Sequence, residues 1–90
     1  MTTGERVGVV THFFNHISVA VLSLEQDLRL GDRVHFLGAH TDFDQEITSM
    51  QIEHTPVNEV SAGQEVAVQV RQRVHRGDSV YRLSEGDEAE

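Results

Sequence analysis

The sequence predicts a single all-β domain, an antiparallel barrel of six to seven strands that is closed on itself. Three observations lead to this prediction. Short runs rich in valine and other β-branched residues alternate with turns, a glycine stands in most of those turns, and no run shows the apolar period of a helix. Closure is expected because so many short strands would otherwise leave long unpaired sheet edges.

Six runs carry the alternation of apolar and polar residues that is typical of strands. They are residues 6–14, 17–22, 33–37, 45–54, 64–70 and 78–83. The alternation predicts these inward-facing residues: Ile17, Val19 and Val21 in the second run, Val34 and Phe36 in the third, and Val66, Val68 and Val70 in the fifth. Residues 38–44, between the third and fourth runs, are polar and are expected to form a loop.

The fourth run contains a change of phase. Ile47 stands at an odd position, whereas Met50 and Ile52 stand at even positions, so a regular strand cannot bury all three. A bulge or bend between Thr48 and Ser49 would remove the conflict, since barrels use bulges to turn corners.

One turn motif occurs three times, each time as a glycine and a polar residue immediately before a strand. The copies are Leu30-Gly31-Asp32, Ala62-Gly63-Gln64 and Arg76-Gly77-Asp78. Glycine adopts a positive φ without a steric penalty, so each copy predicts a tight turn with the glycine in that conformation.

The domain boundaries follow from composition. The chain of 90 residues has room for one domain, with a flexible N-terminus expected at residues 1–5, the barrel at residues 6–83 and a disordered acidic tail at residues 84–90. The net charge of −8 argues against non-specific binding to a phosphate backbone. Cysteine is absent, no apolar run reaches the length of a membrane span, and no secretory signal is recognisable, so a cytoplasmic location is expected.

Catalytic and cofactor motifs are not recognisable in the sequence. No serine lies in a nucleophile elbow, and no phosphate-binding loop is present, so we expect a protein that is not an enzyme and has no cofactor. Structural roles are expected for the six histidines, with metal binding as the alternative. The acidic segment that contains Asp42, Asp44 and Glu46 is expected to be solvated, with weak cation binding as its alternative.

Two segments are candidates for binding a partner. One of the adjacent phenylalanines Phe13 and Phe14 should be exposed at the end of the first strand, beside His16. The other segment contains the arginines Arg71, Arg73 and Arg76. The candidate partner-binding residues are therefore Phe14, His16, Arg71, Arg73 and Arg76, and the expected partner is a protein or a ribonucleoprotein. Bare RNA is disfavoured by the acidic charge, no membrane is expected, and the chain should be a monomer or a weak homo-oligomer.

Four blocks in order resemble the second domain, a β-barrel, of translational GTPases of the elongation factor Tu and elongation factor 1-alpha type. The matching positions are Gly31, Asp32, Val34, Ile47, Ser49, His54, Val57, Gly63, Val66, Arg76, Gly77 and Asp78, with Val7, Gly8 and Val10 in the opening strand. The resemblance implies a stand-alone docking module that is linked to translation and lacks the GTPase part. The alternative is a detached accessory or regulatory subunit of an enzyme such as a U32-type peptidase or a split GTPase.

Overall fold

A computed structural model describes residues 5–83 and consists of β-strands, turns and loops. The all-β prediction is confirmed. The predicted tail at residues 84–90 lies outside the described residues, as does the predicted flexible N-terminus except for Glu5. The strands are β1 Arg6–Phe14, β2 Val19–Leu24, β3 Leu28–Arg29, β4 Arg33–Gly38, β5 Thr41–Glu46, β6 Met50–Ile52, β7 Thr55–Pro56, β8 Glu59–Val60, β9 Glu65–Gln69 and β10 Ser79–Arg82. None of the described residues belongs to a helix that could cross a membrane.

In the part of the chain that the structure describes, eight of the ten strands form one antiparallel sheet in the order β5-β4-β10-β1-β2-β9-β6-β7, and β3 pairs with β8. Within residues 5–83 no backbone ladder joins the end strands β5 and β7, so the predicted closed barrel of six to seven strands is corrected to a curled sheet with open edges. The β5 edge carries Asp42, Asp44 and Glu46 at alternate positions. Charged side chains on an edge strand discourage further pairing, which allows the edge to stay open.

The inner face of the curled sheet encloses one apolar core. Phe36 of β4 stacks on Phe43 of β5 within this core, with ring centroids 5.1 Å apart. The buried apolar side chains come from almost every strand and from three positions in the connections, Ile47, Val70 and Val74. Those in strands are Val7, Val10, Ala20, Leu22, Leu24, Leu28, Val34, Phe36, Phe43, Met50, Val60, Val66, Val68 and Val80.

The predicted inward face of the second strand is wrong. Ala20, Leu22 and Leu24 face the core, whereas Ile17 lies in the preceding turn and is 61% exposed. β1 contains two irregularities, one between Arg6 and Gly8 and one between Val10 and His12. An extra residue in one strand reverses which side chains of the paired strands face the core. The alternation of apolar and polar residues in the sequence does not predict where such an extra residue occurs.

The fourth predicted strand is divided in two. β5 begins at Thr41, inside the predicted polar loop, because Thr41, Phe43 and Gln45 face inward while the acidic residues between them face solvent. The chain leaves the sheet at residues 47–49, where the phase of the apolar residues changes, and resumes pairing in β6. This break buries both Ile47 and Met50.

The three glycine turns have one common geometry. Gly31, Gly63 and Gly77 have φ values of 91°, 90° and 93°, which confirms the predicted positive φ. In each copy the polar residue after glycine donates its backbone N–H to the carbonyl three residues earlier, and its side chain accepts the N–H of that earlier residue. The pairs are Asp32 with Arg29, Gln64 with Ser61, and Asp78 with His75.

Each turn is also joined to a core residue by a reciprocal pair of backbone hydrogen bonds. The N–H of Gly77 donates to the carbonyl of Val10 at 2.8 Å, and the N–H of Val10 donates to the carbonyl of Asp78 at 2.8 Å. Gly63 and Gln64 make the same pair with Leu24, and Gly31 and Asp32 make it with Ile47. The repeated sequence motif therefore attaches each turn to a buried core residue.

Candidate functional sites

The β1–β2 hairpin is uncharged over an unusually long stretch. From Val7 to Leu24 the sequence contains no Asp, Glu, Lys or Arg, although 24% of the chain is charged. The two strands pair from Gly8↔Leu24 to Phe14↔Val19 and are joined by residues 15–18. The hairpin is therefore an uncharged element in an acidic protein.

The tip of this hairpin exposes apolar surface. Phe14 is 49% exposed and Ile17 is 61% exposed, whereas Phe13 is half-buried and packs against the core. The His12 ring stacks on Phe14 with centroids 6.3 Å apart and an interplanar angle of 6°, and His16 is exposed in the turn. We call Phe14, His16 and Ile17 the hairpin tip. Sequence reasoning missed Ile17 because strict alternation assigned its side chain to the core.

Arg71, Arg73 and Arg76 lie in the connection from β9 to β10, and all three are exposed. The buried Val74 and the turn at Gly77 hold this connection against the core. None of the three arginines lies within 4.0 Å of a carboxylate in the part of the chain that the structure describes. They therefore remain a candidate binding surface, on a different connection from the hairpin tip.

His35 on β4 is held between two carboxylates of β5. Its Nε2 lies 2.8 Å from Asp42 and its Nδ1 lies 2.6 Å from Asp44. Carboxylates only accept hydrogen bonds, so both contacts are satisfied when both ring nitrogens carry hydrogen. Among residues 5–83 no group of three or more His, Asp or Glu side chains is arranged to hold a metal ion. The contacts instead fasten the two strands of the β4–β5 hairpin together.

A second polar cluster joins the end of the β4–β5 hairpin to the turn at Gly77. Asp78 is 5% exposed and accepts the backbone N–H of His75 at 2.8 Å, while the Nδ1 of His75 lies 3.2 Å from the hydroxyl of Thr41. The Asp78 carboxylate occupies the space where a side chain on Gly38 would begin. This cluster is a structural junction, because its groups are engaged with one another.

The seam between β5 and the end of β9 is bridged by a side chain. The amide of Gln45, a residue that is 6% exposed, donates to the carbonyl of Gln69 at 2.8 Å and accepts the backbone N–H of Arg71 at 2.9 Å. A cleft of about 470 Å³ opens beside this bridge. Its lining residues are Arg33, Gln45, Glu46, Thr48, Gln69, Val70 and Arg71. We call it the seam cleft.

Comparisons with known proteins identify two kinds of similarity. The chain is 38% identical over 80 residues to an uncharacterized protease of Methanocaldococcus jannaschii, a match that covers 88% of this chain and 20% of the protease. Its fold is similar to crystal structures of the C-terminal domain of a "putative U32 peptidase" from Geobacillus thermoleovorans. One structure has a TM-score of 0.84 at 22% identity and covers 93% of this chain and 98% of that domain. The selenomethionine variant has a TM-score of 0.82 at 21% identity, with 86% and 98% covered. No known family model matches the sequence.

The predicted resemblance to the second domain of elongation factors is therefore wrong, and no comparison supports the link to translation that it implied. The similar proteins are a protease and a domain of a peptidase. The matching positions, such as Gly31, Asp32 and Gly77, meet the conformational needs of tight turns, which many small β domains share. The chain spans about one fifth of the length of the protease that it matches.

Proposed function

We propose that this chain is an accessory domain or subunit of a U32-type peptidase and performs no catalytic step of its own. The observation that carries the proposal is the agreement of two matches. The fold matches 98% of a peptidase's C-terminal domain, and the sequence is 38% identical to part of a protease, most of which lies outside the match. The unit shared with these proteins is thus a β domain that would serve a larger catalytic partner.

The hairpin tip is the docking surface that we assign to this association. Interface cores are depleted of charged residues and enriched in aromatic ones, and a few exposed apolar anchors carry most of the binding energy. Phe14 and Ile17 provide such anchors on the one long uncharged stretch of the chain. The stack of His12 on Phe14 orients that ring before a partner arrives, which reduces the entropy lost on binding. The proposed occupant is an apolar groove on the catalytic part of the peptidase.

A reconstitution experiment tests the association. The full chain is mixed with the M. jannaschii protease from which the matched segment has been deleted, and complex formation is followed by light scattering and calorimetry. We expect a one-to-one complex. The double substitution Phe14→Ser/Ile17→Ser should weaken it more than tenfold, because truncating interface anchors costs about 2 kcal/mol or more.

Leu37→Ser provides the matched control, since Leu37 is also an exposed apolar residue, 41% exposed, but lies on β4. It should leave the affinity unchanged. Absence of a complex with either the relative or a U32-type peptidase encoded beside this chain would contradict the association. Equal losses of affinity in the control and in the double variant would contradict the assignment of the hairpin tip as the docking surface. Peptide hydrolysis by the purified chain alone would contradict the non-catalytic role.

A further inference from the structure

We propose that the seam cleft is a binding site for a single carboxylate group. The cleft has a volume of about 470 Å³, which lies within the range of small-ligand sites. Arg33 at the start of β4 and Arg71 just after β9 both line it. This proposal goes beyond the peptidase association and does not depend on it.

The arginines of the cleft are available to a ligand. Arg33 lies opposite Glu46 in the β4–β5 register, but within residues 5–83 neither Arg33 nor Arg71 has a carboxylate closer than 4.0 Å. Guanidinium groups bind carboxylates through paired N–H donors. Two such groups around one cleft provide donors that the described protein does not use.

The net charge of the lining residues favours an anion with a single negative charge. Two arginines and Glu46 give the cleft a formal charge of +1, in a protein whose net charge is −8. A monoanion neutralises this lining, whereas a phosphate dianion would meet the Glu46 carboxylate and the acidic surface with excess charge. A carboxylate with one charge is therefore the ligand chemistry that fits.

The Gln45 bridge makes the cleft a preformed site. Both polar ends of the Gln45 amide are engaged, by the carbonyl of Gln69 and the N–H of Arg71, so the side chain cannot rotate freely. The same hydrogen bond fixes the backbone of Arg71 against β5. The Gln45 amide and the backbone of Arg71 are therefore fixed elements of the site. Thr48 also lines the cleft.

An NMR titration of the full chain tests the proposal. A blocked Gly-Glu-Gly tripeptide is the ligand, and the corresponding Gly-Gln-Gly tripeptide is the uncharged control. We expect saturable shifts of the Arg71 backbone amide, the Gln45 side-chain amide and the Nε–H signals of Arg33 and Arg71 with the glutamate peptide only. Arg33→Gln and Arg71→Gln should each weaken binding about tenfold, the loss expected for a charge-assisted hydrogen bond.

Arg73→Gln is the matched control, because Arg73 is exposed in the same connection but does not line the cleft. It should leave the affinity unchanged. Equal shifts with both peptides, no saturation, or an equal loss in Arg73→Gln would overturn the proposal. Because the residues exchanged are exposed, the spectrum of each variant should otherwise match that of the unaltered protein.

A second arm of the titration distinguishes two sources of the carboxylate. The sequence after Leu83 contains Glu85, Asp87, Glu88 and Glu90, which could compete with an added peptide. These four residues are replaced by Gln or Asn, and the peptide affinity is compared with that of the unaltered chain. A higher affinity in the altered chain would support the cleft as a carboxylate site and identify the chain's own carboxylates as competing ligands. An unchanged affinity would support the cleft as a site for a separate peptide. The absence of saturable binding in both chains would overturn the proposal.

Discussion

The β1–β2 and β4–β5 hairpins are both antiparallel, but they differ in the charged residues that they carry. The first has no Asp, Glu, Lys or Arg between Val7 and Leu24 and exposes Phe14 and Ile17 at its tip. The second buries Phe36 and Phe43 and carries alternating carboxylates on an open sheet edge. The two hairpins are therefore suited to different tasks. An uncharged tip suits partner binding, because little free energy is lost when a partner excludes water from it. A charged edge strand suits the opposite task, because it resists pairing with another strand.

Truncating an aromatic side chain should give the largest difference in unfolding free energy between the two hairpins. Phe36→Ala should lower the free energy of unfolding by about 3–5 kcal/mol, since Phe36 is fully buried and stacked on Phe43. Phe14→Ala should change it by about 0.5 kcal/mol or less, because half of that ring already faces water. Urea denaturation of both variants measures the contrast. Comparable losses would show that the hairpin tip is a structural element rather than a free surface.

Removing the Gln45 bridge should give the next largest loss of unfolding free energy. Gln45→Ala leaves the carbonyl of Gln69 and the N–H of Arg71 without their side-chain partner, at a cost of about 2 kcal/mol in unfolding free energy. Gln69→Ala is the control, because the bridge uses only the backbone of Gln69. Hydrogen exchange at the Arg71 amide should accelerate in Gln45→Ala and remain slow in Gln69→Ala. An unchanged exchange rate in Gln45→Ala would show that this bridge does not hold the seam.

The turn at Gly77 contacts both hairpins, and its substitution should lower the free energy of unfolding by less than the loss of the Gln45 bridge. Gly77→Ala should cost about 1 kcal/mol, because its φ of 93° is unfavourable for alanine although the space around it is open. Gly31→Ala should cost about the same, since its φ and its surroundings are alike. Thermal and urea unfolding of the two variants provide the comparison. A loss confined to one of them would show that the turns are not equivalent.

Much of the local structure could be predicted from the sequence. The inward faces of the third and fifth runs are as predicted, with Val34, Phe36, Val66 and Val68 buried, because a regular strand exposes every second residue to the same side. The phase change around Thr48 signalled a real interruption, although the structure has a break between two strands where one bent strand was expected. The start of β5 was missed because its outward residues are acidic and hid its inward alternation.

The candidate surfaces were predicted only in part. Phe14, His16, Arg71, Arg73 and Arg76 are exposed in the structure, and their role in binding stays a prediction. Ile17 was assigned to the core and lies at the hairpin tip. The seam cleft was not predicted, because Arg33 and Arg71 are far apart in sequence and approach the same cleft only when β5 and the end of β9 come together around Gln45.

The sequence by itself determined the all-β class, the uncharged first hairpin and the conformation of three glycine turns. These features depend on residues that are neighbours in the chain, through the period of two and the steric freedom of glycine. The tertiary structure decided the facing of β2, the open edge at β5 and the position of the seam cleft. Those features depend on strand pairing and on bulges, which involve residues distant in sequence and leave no local pattern from which they could be derived.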